Sequence, residues 1–137
     1  MNKLTLTAAV LLAATVLSCN RKDDNDSCVA GTGGNLTVVA FPQHHTKPIP
    51  NKADYPDTVF VKFNTQDAPA DDAYDTFFVG EAGEDHVHLT GLKCGTYYLF
   101  GAGYDTSIHQ RVVGGIPFTT DKKDGEVDVY IPVTEGD

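Results

Sequence analysis

Beyond residue 34 the apolar and polar positions alternate, and no stretch sustains the three-and-four spacing of an amphipathic helix. The alternation predicts seven short strands, near Leu36–Phe41, Thr58–Asn64, Tyr74–Gly80, His86–Leu89, Thr96–Tyr104, Gln110–Thr119 and Glu126–Thr134. Gly, Pro, Asp and Asn clusters bound them, the pattern of an all-β, seven-stranded sandwich. Successive side chains on a strand point to opposite faces, so the same alternation assigns inner and outer rows. Val59, Val61 and Phe63 belong inside, as do Val127, Val129, Ile131 and Val133. The pairs Phe77 and Val79, Val87 and Leu89, and Tyr97 and Leu99 complete the inner faces, while Lys62, Asn64, Glu126, Asp128 and Tyr130 point outward. Gly114 and Gly115 interrupt a strand-like run and predict a bulge. Asp124 and Gly125 end a turn between the last two strands.

The first 34 residues follow another logic. After Asn2 and Lys3 an apolar run, Leu4–Leu17, ends in Ser18 and Cys19. It is short for a permanent membrane span and reads as an export signal. Val16, Leu17, Ser18 and Cys19 resemble the bacterial lipobox, which implies cleavage before Cys19 and lipidation of its thiol. Lys22, Asp23 and Asp24 resemble the export tag that sends many Bacteroidota-type lipoproteins to the outer face of the outer membrane. The plain alternatives are a charged spacer and a periplasmic location. The chain then divides into a signal peptide (1–18), an acidic, Gly-rich tether after lipidated Cys19 (19–34) and one β-sandwich domain (35–137). Lipidation consumes Cys19 and leaves Cys28 and Cys94 as an even pair in an oxidising compartment, for which a disulfide is the simplest account.

The most specific local pattern is Leu92-Lys93-Cys94-Gly95-Thr96-Tyr97. A leucine plug, a turn glycine and a tyrosine opening the next strand resemble the tyrosine corner of Greek-key sandwiches, in which the hydroxyl bonds back to nearby backbone. Together with Lys47-Pro48-Ile49-Pro50, the Thr58–Phe63 strand and Tyr98-Leu99-Phe100, the chain resembles transthyretin-like, carboxypeptidase-regulatory-like domains over about Asn35–Val133. The stretch Asn51–Asp57 is longer than the short turn usual there. An immunoglobulin-like sandwich is the near alternative. The resemblance implies an accessory or binding module without catalytic residues.

Charge and chemistry narrow the function classes. The formal charge of −9 repels phosphate backbones and disfavours nucleic-acid binding. Ser107 is the only serine outside leader and tether, and with His109 two residues on it lacks the nucleophile elbow and base that acyl transfer needs. Gly31–Gly34 lacks the flanking strand, helix and lysine of a phosphate loop. Asp71, Asp72 and Asp75 offer oxygens for calcium but not at EF-hand spacing. The expectation is a non-enzymatic protein without a cofactor. Histidine supplies the alternative: His86 and His88 share one face of a strand, and His44 and His45, in the loop after the first strand, would join them in a zinc or copper site if that loop folds over. Phe60, Tyr98, Phe100, Tyr104 and Tyr130 fall on outer rows, where an aromatic stripe would meet a protein or glycan partner.

Overall fold

A computed structural model describes residues 27–136. The export signal, the Cys19 lipidation site and the Lys22-Asp23-Asp24 tag lie outside the described residues. The strands are β1 (Thr32–His44), β2 (Lys47–Pro48), β3 (Thr58–Phe63), β4 (Thr76–Val79), β5 (Val87–Leu92), β6 (Gly95–Asp105), β7 (Gln110–Thr120) and β8 (Asp124–Glu135), with one 3-10 turn at Ala70–Asp72. The domain is all-β, and each of the seven segments expected from alternation forms a strand. The eighth, β2, is a two-residue return against Gln43 and His44 that is too short to show a period.

The strands join in one curled, mixed sheet of order β2-β1-β8-β7-β6-β3-β4, with β5 on the free edge of β1. All pairings are antiparallel except β1 with β8, which run parallel from Asn35 opposite Asp124 to His44 opposite Val133. β7 pairs with β8 only at Val112–Glu135 and Val113–Thr134. The sheet therefore turns a corner there, and the inner rows of β1, β5 and β8 meet those of β3, β6 and β7 in one core. Leu36, Val38, Val87, Leu89 and Ile131 on one side pack with Val59, Val61, Tyr97, Leu99 and Val112 on the other, all without exposed surface. Because β6 and β8 are both antiparallel to β7, and β8 is parallel to β1, these three strands run the same way. They start at one end of the domain and stop at the other.

The starting end is stapled. Cys28 is bonded to Cys94 with 4.8 Å between Cα atoms. The Tyr97 hydroxyl donates to the Lys93 carbonyl at 2.5 Å and accepts from the Gly31 N–H at 3.1 Å, the corner expected from the sequence pattern. The tether expectation changes here. Ala30 is buried, Lys93 N–H donates to the Gly31 carbonyl at 2.9 Å, and β1 begins at Thr32, so residues 28–34 belong to the domain. Gly95, at φ +148, lets this segment close in, since a Cβ there would strike the Ala30 backbone.

Two further expectations are corrected. Phe77 and Val79 face outward, 60% and 49% exposed, while Phe78 packs on the core. The register decides it: Phe78 lies opposite buried Val59, and Phe77 opposite outward Phe60. Adjacent phenylalanines leave the alternation ambiguous by one residue, and a one-residue slip exchanges the faces. Gly114 and Gly115 form no bulge, because β6 and β7 pair without a break from Gly95–Thr120 to Asp105–Gln110. Their missing side chains make room instead, at Gly114 for the Pro132 carbonyl of β8 and at Gly115 for the Tyr98 ring.

Candidate functional site

The far end, where β1, β6 and β8 stop, gathers His44, Asp105 and Glu135 from their last residues. His44, 5% exposed, places Nδ1 2.7 Å from Asp105 Oδ2. Asp105 is held in turn by Ser107, whose hydroxyl donates to Oδ1 at 2.6 Å and whose N–H donates at 2.8 Å. These Ser107 bonds and the His44 contact draw the Asp105 carboxyl down to about 2. The Asp105 hydrogen bond raises the His44 imidazole above the ordinary histidine range against the opposing effect of burial. His44 Nε2 is buried without a hydrogen-bond partner, 3.6 Å from Glu135 Oε2. The His45 ring lies beside it at a centroid distance of 4.1 Å. One donor atom each from His44, His45 and Glu135 falls within 4.8 Å of the others.

The loop that follows β1 stitches this end with buried polar groups. Asn51 Oδ1 accepts from the Asp57 N–H at 2.6 Å, and Asn51 Nδ2 donates to the His86 carbonyl at 2.9 Å. The Asp57 side chain is fully buried beside Gly103, with neither carboxylate oxygen hydrogen-bonded, and burial pushes it up to about 7. The long Asn51–Asp57 stretch thus forms a sewn cover.

The second pair of histidines stands apart. His86 and His88 project outward beside β5 as expected, their rings 4.7 Å apart, but His44 and His45 do not fold over them. β1 carries His44 five residues past Val39, the residue paired with His88, so the four imidazoles divide into two clusters. Glu84 and Asp85 complete the β5 cluster: His86 lies 3.6 Å from Glu84 and 3.0 Å from Asp85, and His88 4.0 Å from Glu84.

The aromatic row is also divided. Phe60 and Phe100 meet on the outer face of β3 and β6 together with Tyr74 and Phe77, at centroid distances of 5.6 to 6.4 Å from Phe60. With Asp72, Asp75, Thr76 and Arg111 they line an open groove of about 620 Å³. Tyr104 stacks on Tyr55 at 4.5 Å in the adjoining groove, and Tyr98 covers Gly115. Tyr130 stands on the other part of the sheet, 54% exposed and stacked on Phe41. Phe77 escaped the sequence reading through its inverted face, Tyr55 because loop residues carry no period, and Tyr74, expected to open a strand, lies in the loop before β4.

The remaining candidates take structural places. Ser107 bonds Asp105, and Asp105 bonds His44; a nucleophile and base would instead put histidine in the middle. Asp75 accepts from Phe63 N–H at 2.8 Å and Lys62 at 3.2 Å, which holds its carboxyl below the usual range and occupies it structurally. Comparison with protein-family models, curated proteins and solved structures finds no match to this chain.

Proposed function

We propose that the protein is a lipoprotein anchored through Cys19 in the outer membrane and exposed at the cell surface, acting as a non-enzymatic binding or assembly module for a protein or glycan partner. In this reading the curled sheet is a Greek-key sandwich of the transthyretin-like or immunoglobulin-like kind. The observation that carries it is the aromatic groove. Phe77 is 60% exposed above half-buried Phe60, Tyr74 and Phe100, although a folding chain gains about 1.5–3 kcal/mol by burying such a side chain fully. A volume of about 620 Å³ is in the range of ligand sites, and Asp72 and Arg111 in its lining supply polar groups that orient what stacks on the rings. The nine chain steps from Cys19 to Cys28 span at most about 30 Å. The staple therefore keeps the domain close to its anchor and leaves the sheet faces for contact.

Cross-linking on intact cells tests the reading. A neighbour captured by the wild type is expected to fall several-fold with Phe77→Ala, a change at a solvent-facing position that leaves the fold intact. Undiminished capture would move the contact elsewhere, and turnover of a substrate by the purified protein without any neighbour would favour an enzyme. Fatty-acid labelling that persists in Cys19→Ala would remove the anchor.

A second reading, a zinc- or copper-binding lipoprotein, is favoured by one observation: each pair of histidines has gathered a glutamate.

A further inference from the structure

We propose that the far end of the domain binds a single zinc or copper(II) ion through His44 Nε2, His45 and Glu135, with Asp105 as the positioning residue for His44. This deepens the metal-binding reading and is independent of the contact reading. Imidazoles that ligate metals usually give their second nitrogen to a carboxylate, which fixes the ring and directs the other nitrogen at the ion. Asp105, itself clamped by two bonds from Ser107, does this to Nδ1 at 2.7 Å. Nε2 is thereby aimed at Glu135 and shut off from water with no hydrogen-bond partner. Leaving a buried polar atom unmet is costly, and such an atom in a native site calls for an explanation, of which an ion is one.

The spacing fits. An ion at about 2.0–2.1 Å from each of two atoms 3.6 Å apart makes an angle of about 120° with them, a trigonal angle wider than the tetrahedral one. His45 and Thr46 both take left-handed backbone, φ 50 and 67, a costly choice for consecutive non-glycine residues, and this bend sets His45 beside His44. Two imidazoles and a carboxylate suit zinc or copper(II) better than calcium, magnesium or copper(I), and three protein ligands leave a fourth position open. The β5 cluster lacks the deciding feature, since His86 and His88 reach solvent and their nitrogens can bond water.

Titration calorimetry of the detergent-solubilised full-length protein with zinc alone, then with copper(II) alone, tests the site. One ion per chain is expected. Its affinity should fall at least about tenfold in His45→Ala and in Glu135→Gln, both changes at exposed side chains, and stay within about twofold in the His86→Ala/His88→Ala double variant. Circular dichroism confirms that each variant is folded. No binding of either ion overturns both the site and the metal-binding reading. Binding that survives His45→Ala and Glu135→Gln but disappears with the β5 double variant overturns this site and leaves that reading standing at Glu84, His86 and His88.

Discussion

At the end where the chain enters the domain, Cys28 is bonded to Cys94, Tyr97 closes a corner on Lys93 and Gly31, and the buried side chains around them, Ala30 and Leu92, are apolar. At the opposite end, alongside buried Ile49 and Val133, lie His44, Asn51 and Asp57, which among the described residues are all the buried polar or charged side chains. The buried side-chain atoms without a hydrogen-bond partner are there too: His44 Nε2 and both oxygens of Asp57. One end is cross-linked and satisfied; the other holds unmet polar atoms in place. Unmet groups persist only where the surrounding structure over-determines them, and a staple far from the site supplies stability without occupying it.

The contrast can be broken most forcefully at the staple. Replacing both Cys28 and Cys94 by Ser opens a crosslink spanning 66 residues, for which chain entropy gives a loss of about 4 kcal/mol. Equilibrium denaturation should show it as a large fall in midpoint, and a loss under about 1 kcal/mol would mean that the end is held by Tyr97 and Gly95 alone.

The next effect lies at the far end and depends on pH. Asp57 titrates at about 7 in the fold and near 3.8 when unfolded. Below the lower value it is protonated in both states and contributes nothing. Between the two the unfolded chain ionises first, so stability falls as pH rises and levels off above about 7. The full effect is on the order of 4 kcal/mol. Asp57→Asn should flatten this part of the stability profile and leave the variant more stable than the wild type at pH 8; an unchanged profile would show that the carboxylate finds partners.

The smallest of the three changes returns to the stapled end. Tyr97→Phe keeps the ring and removes the hydroxyl between Lys93 and Gly31, and should cost about 2 kcal/mol with no pH dependence below the tyrosine range. If it cost as much as losing the disulfide, the corner would be the principal restraint.

Patterns within a few residues were readable from the chain. Alternation placed the seven strands and most of their inner rows, because facing depends only on period two. The corner hexapeptide announced Tyr97, and counting cysteines paired Cys28 with Cys94. Where the local pattern was degenerate, as in the adjacent Phe77 and Phe78, the cross-strand register decided which one entered the core.

The far end depended on strands distant in the chain. Asp105 is 61 residues from His44, and Glu135 a further 30 along, each reading in isolation as an ordinary acid at the end of a strand. Nothing in their neighbours signals that β1, β6 and β8 run the same way and stop together. The sequence by itself determined an all-β domain with two rows on every strand and a staple at its start; only the tertiary structure decided which strands lie side by side, and hence which histidine meets which carboxylate. The physical reason is range: side-chain direction follows from the local backbone, whereas the meeting of strand ends depends on the parallel β1–β8 pairing and the corner at Val112 and Val113, contacts between residues about 90 and about 20 positions apart.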